Sequence, residues 1–86
     1  MTAFFDIRFK SPVTKDLRSI PPTDVARILD TLNDLQKNAR PTNAQLLTGR
    51  DAWRVRSGRY RAIYTFYDDN LIIEIIKVGH RKDIYR

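Results

Sequence analysis

The sequence predicts an α+β fold: an N-terminal strand, two helices packed on one face of a four-stranded, mostly antiparallel sheet, and a short C-terminal tail. Three observations carry that expectation. Apolar residues recur at helical spacing between Val25 and Leu35 and at the two-residue period of strands from Trp53 onward. The helical segments stand together ahead of a run of strands, an order that builds segregated layers. Turn residues at Ser57-Gly58 and Asp68-Asp69-Asn70 divide that run into hairpins.

Phe5-Asp6-Ile7-Arg8-Phe9-Lys10 alternates apolar with polar, the pattern of a half-buried strand. Ser11-Pro12 ends it, with Ser11 a candidate N-cap and Pro12 suited to the first helical position. A short helix is expected over 13–19. Pro21-Pro22-Thr23-Asp24 starts a second helix, in which Val25, Ile28, Leu29, Leu32 and Leu35 share one face. That helix is expected over 22–38. Arg40-Pro41-Thr42-Asn43 stops it, and a loop should run to Gly49.

In the second half, Trp53 and Val55 alternate with Arg54 and Arg56, and Tyr60, Ala62, Tyr64 and Phe66 alternate with Arg61, Ile63, Thr65 and Tyr67. The apolar set should face the helices, Trp53 included, which reads as core rather than as a base-stacking platform. Residues 71–78 are apolar on both faces except Glu74 and Lys77, as in a covered central strand. Gly79 is expected to break it and leave 80–86 as a polar tail.

Eighty-six residues suit a single domain over 1–86. A chain of this length buries roughly 60–65% of the surface its unfolded form exposes, so stability should be modest. It has no cysteine, which excludes disulfides and thiolate metal sites and suits a reducing, cytoplasmic setting. No signal peptide and no membrane-spanning run is expected. One histidine, His80, excludes a two-histidine nuclease mechanism, and no phosphate-loop or nucleophile-elbow motif is present. No metal or other cofactor is expected.

The formal net charge is +6 and the pI about 10.1, a balance that favours a polyanionic partner. Five arginines (Arg50, Arg54, Arg56, Arg59 and Arg61) fall between positions 50 and 61 with one acid, Asp51. The strand period should bring Arg54, Arg56 and Arg61 together on the sheet face away from the helices. A planar, permanently charged fork matches phosphate geometry, and converging arginines would stabilise the charge that grows on a phosphorane. Arginine is a poor general base, so proton transfer would fall to Tyr85, His80, Lys82 or Asp83. Arg50, Arg59, Lys77, His80 and Lys82 are candidates for holding the rest of an RNA strand. In RNA the 2′-OH itself is the nucleophile, and no protein nucleophile is required.

Three blocks then resemble one family: Trp53-Arg54-Val55-Arg56-Ser57-Gly58-Arg59-Tyr60-Arg61 with Ala62-Ile63-Tyr64; the strand over 71–78; and Val78-Gly79-His80-Arg81-Lys82-Asp83-Ile84-Tyr85-Arg86. They are similar to the RelE branch of the RelE/ParE toxin superfamily. The resemblance implies a type II toxin, a metal-independent endoribonuclease that cuts mRNA in the ribosomal A site and inhibits translation. The implied product ends are a 2′,3′-cyclic phosphate and a 5′-hydroxyl. It implies an acidic, RelB-like antitoxin as cognate partner, and no membrane or small-molecule cofactor.

By the same resemblance Arg54 and Arg56 match two basic strand residues, and Arg61 and Arg81 match the arginines on the phosphate. Tyr85 matches a near-terminal tyrosine that orients or stacks the substrate. The sequence departs from the family where Arg54 and Arg56 stand in place of lysines, where Thr48 precedes Gly49, and where no longer C-terminal helix follows. The alternative is a ParE-like inhibitor of DNA gyrase without nuclease activity, which has no need of the Arg61, Arg81 and Tyr85 set.

Overall fold

A computed structural model describes residues 4–49 and 51–82. Its elements run β1 (Asp6–Phe9), α1 (Ser11–Arg18), α2 (Pro22–Asp34), β2 (Ala44–Leu46), β3 (Trp53–Ser57), β4 (Tyr60–Tyr67) and β5 (Ile72–His80). The sheet order is β1-β5-β4-β3-β2, with β1 parallel to β5 and the other pairs antiparallel. The α+β class holds, but the sheet has five strands rather than four. The extra one is β2, inside the segment expected to be a loop. Three residues between Pro41 and Gly49 are too few to show a period, and only the ladder to β3 defines them.

Other boundaries moved for local reasons. Lys10, not Ser11, caps α1: its backbone N–H donates to the Ile75 carbonyl, 3.0 Å, and its carbonyl accepts from Val13 N–H, 2.9 Å. The first strand therefore passes straight into the helix. Helix α2 ends at Asp34, four residues short of the expected end. Gln36 is drawn away to Phe5: the Phe5 N–H donates to the Gln36 carbonyl (2.9 Å), and Gln36 Nε2 donates to the Phe5 carbonyl (3.2 Å). Strand β5 continues through Gly79 to His80, which pairs with Tyr60. Neither residue begins the tail.

The core lies between the helices and one sheet face. Val13, Ile28, Leu32 and Leu35 meet Val55, Ala62, Tyr64, Ile73, Ile75 and Val78, all buried. Trp53, Tyr60 and Phe66 pack against this cluster while remaining partly exposed. Helix α1 is tied to β5 where β1 has ended: the Asp16 carboxylate accepts the Val78 N–H, 3.2 Å. The Tyr64 hydroxyl donates to the Ala39 carbonyl, 2.6 Å, which satisfies the one polar atom its burial brings inside. Among the described residues no helix is long and apolar enough to cross a membrane.

Ile63 departs from the simple two-face reading. It lies on the face away from the helices yet is buried, with Ala52, Leu47 and Ile76 around it. A register shift beside Ile63 and Tyr64 inserts Ile76 into β5 without a partner. The segment leading to β3 covers that half of the far face, with Thr65 Oγ1 donating to the Asp51 carbonyl, 3.2 Å. Only the other half stays open.

Candidate nucleic-acid interface

The open half carries the charge. Arg56 stands directly opposite Arg61 across the β3–β4 ladder, and Arg54 stands opposite Ile63. The three arginines line a groove of about 150 Å³ together with Thr42, Asn43 and Gln45. The hairpin that sets this register is the Gly58-Arg59 turn, in which Gly58 has φ +58° and Arg59 does not share the positive angle. That is the II′ pattern, whose twist matches the flanking strands.

The groove's side chains are held rather than loose. Arg54 Nη2 donates to Gln45 Oε1. Arg61 Nη1 donates to the Tyr60 carbonyl, 3.3 Å. Asn43 and Arg56 are joined twice, by Arg56 N–H to the Asn43 carbonyl (3.4 Å) and by Asn43 Nδ2 to the Arg56 carbonyl (3.2 Å). The Arg54 and Arg61 guanidinium groups, held in this way, lose less entropy when they grip an anion, while Arg56 is fixed through its backbone. Thr42, Asn43 and Gln45 escaped the sequence reading. Their one signal was Asn43 and Gln45 two apart, and a strand of three residues makes that spacing uninformative.

A second basic cavity, of about 330 Å³, is lined by Arg59, His80, Arg81 and Lys82 at the tip of the β3–β4 hairpin. Arg81 N–H donates to the Arg59 carbonyl, 3.0 Å, two residue pairs beyond Arg61–Gly79. Arg81 is not among the lining residues of the arginine groove; it stands diagonal to Arg61, a backbone spacing of roughly 7–8 Å that long side chains span. The His80 ring packs edge-on to Tyr60, 5.8 Å between centroids, and its Nδ1 accepts the Lys82 N–H, 3.2 Å. Lys77 pairs with Ile63, on the same face as the arginines. Arg50 and Tyr85 lie outside the described residues.

One family model, that of the ParE toxin of type II toxin-antitoxin systems, matches residues 7–85. The chain belongs to this family. Within the RelE/ParE superfamily, two similar proteins are named RelG and RelE1. Toxin RelG of Mycobacterium tuberculosis is 29% identical over 95% of this chain and 97% of its own length. A Methanocaldococcus jannaschii relative named RelE1 is 30% identical over 95% and 96%. The archaeal RelE–RelB complex from Pyrococcus horikoshii has a similar chain at 28% identity, with a TM-score of 0.81 and coverage of 96% and 99%. The RelE/ParE-family chain described here is thus a toxin of a type II toxin-antitoxin system, with the strand order and arginine register set out above.

Proposed function

We propose that this toxin is a cytoplasmic, ribosome-dependent endoribonuclease that cleaves mRNA in the ribosomal A site. The observation that carries the reading is the groove in which Arg54, Arg56 and Arg61 converge from two paired strands. In the proposed reaction the 2′-oxygen attacks the adjacent phosphorus, the bond from phosphorus to the 5′-oxygen breaks, and a 2′,3′-cyclic phosphate and a 5′-hydroxyl remain. The proton leaves the 2′-OH for a base, and the 5′-oxygen takes one up. The arginines hold the charge that develops on the phosphorane. Arg81, diagonal to Arg61, serves the same phosphate, and Tyr85 orients or stacks the substrate. His80, Tyr85, Lys82 and Asp83 are the candidates for proton transfer, and no metal is required. Arg50, Arg59, Lys77, His80 and Lys82 hold the flanking strand.

The groove supplies charge without a strong acid and base pair, so the ribosome must supply orientation. The cognate partner is an acidic, RelB-like antitoxin, in keeping with the RelE–RelB complex from Pyrococcus horikoshii and with the +6 charge of this chain. The second reading, inhibition of DNA gyrase without cleavage, is favoured by the ParE name of the matching family model. Primer extension on a translated message after induction decides between them. Stops within codons support the nuclease; SOS induction with intact messages supports gyrase inhibition and overturns it.

A further inference from the structure

Two rows of side chains cross the sheet where the open half meets the covered Ile63. Register places Asn43, Arg56, Arg61 and Gly79 in one row, and Gln45, Arg54, Ile63 and Lys77 in the next. The arginines occupy the middle of the groove, and Asn43 and Gln45, with Thr42, form its outer rim on the β2 side. The rim carries no charge. A phosphate gripped by the arginines in the middle of the groove puts its attached base toward the edge.

Each rim amide is fixed at one end by an arginine of the groove. Asn43 uses its Nδ2 on the Arg56 carbonyl, and Gln45 uses its Oε1 on the Arg54 guanidinium. Fixing the nitrogen of one and the oxygen of the other orients an acceptor on Asn43 and a donor on Gln45. An acceptor and a donor side by side complement the edge of an unstacked base. Guanidinium contacts to phosphate carry no sequence information, so any selectivity at this groove has to come from such groups.

We infer that Asn43 and Gln45, flanked by Thr42, read the base attached to the phosphate that the arginine groove holds. They are specificity-determining residues, and the inference rests on the RNA-cleaving reading of that groove. Gln45 is in addition a positioning residue for Arg54.

The test is equilibrium binding of the full chain to oligo-A, oligo-C and oligo-U of about ten nucleotides at several salt concentrations. The wild-type protein should prefer one of the three over the weakest by about fivefold or more, the low end of a two-bond base contact. Asn43→Ala and Gln45→Ala should each bring the three affinities within about twofold and leave the salt slope, which counts phosphates, unchanged. Gln45→Glu keeps an acceptor for Arg54 and removes the donor, so it should lower every affinity and still lose the preference. Variants that weaken all three equally with the preference intact overturn the inference. So does a wild-type protein that binds all three alike, although the RNA-cleaving reading then stands. A wild-type protein that binds none of them also overturns the inference, while primer extension on translated message decides the RNA-cleaving reading.

Discussion

Arg56 and Arg61 face each other directly across the β3–β4 ladder, a like-charge pair at the closest side-chain spacing a sheet offers. Such pairs destabilise the sheet they sit in. Their position on the open face of an otherwise well-paired hairpin marks a place where fold stability is traded for a cationic site. Arg56→Thr should therefore keep or raise the melting temperature, by up to a few degrees. Added salt should raise that of the wild type more than that of the variant. Thermal unfolding in low and high salt checks both, and a lower melting temperature in the variant at low salt would count against the trade.

Gly58 makes that pairing possible. Its φ of +58° is in the left-handed region, and a Cβ placed there meets nothing within 4 Å. The cost of Gly58→Ala is therefore backbone strain alone, about 1–2 kcal/mol, while Gly58→Asn should cost less because asparagine tolerates this conformation. Urea unfolding of the two variants measures the difference. Equal costs would mean that the turn relaxes to another type.

Tyr64 gives the fold a pH dependence of known sign. Burial pushes its phenol up from 10.0 to about 12, and the Arg40 guanidinium pulls weakly the other way. The folded chain holds this proton more tightly than the unfolded one. Its contribution to stability is thus complete below about pH 10 and is lost as the pH rises from 10 to about 12. Tyr64→Phe should remove that part of the alkaline decline. At neutral pH it should cost about 1–3 kcal/mol, because the Ala39 carbonyl loses its buried donor. Unfolding curves of both proteins across that range test the assignment, and parallel declines would refute it.

The balance of what the sequence revealed follows from how far each signal reaches. Period-two alternation set Arg54, Arg56 and Arg61 on the face away from Tyr60 and Ala62, and the ladder places them so. Alternation is local and survives any tertiary arrangement. Ile63 shares that face but is buried, because a register shift in β5 and the segment before β3 cover it, and both depend on partners distant in sequence. Asn43 and Gln45 were missed for the same reason: they become groove residues only once β2 pairs with β3. Arg40, which lies 4.6 Å from the Phe66 ring centroid and 3.3 Å from an Asp68 oxygen, carries only a helix-stop signal in the sequence. Its actual place needs the β4–β5 turn brought to it.

The last prediction concerns Arg61 and Arg81. Arg61 lines the groove with Arg54 and Arg56, while Arg81 continues the ladder from the Arg59 carbonyl, two residues beyond Gly79. If both serve one phosphate, each alanine variant removes a donor worth roughly 10²–10³ in rate and should abolish growth arrest. The double variant should then lose less than the product of the two, since groups that act as a unit are not additive. Arg61→Lys should recover only part of the activity, because it keeps the charge and loses the planar fork. Circular dichroism should show intact folds, as Arg61 lies outside the helix-facing core and Arg81 is exposed. Losses that multiply in full would assign Arg81 to a neighbouring phosphate at the hairpin tip. Wild-type cleavage of ribosome-bound message by the double variant would end the mechanism, whatever the arginine register suggests.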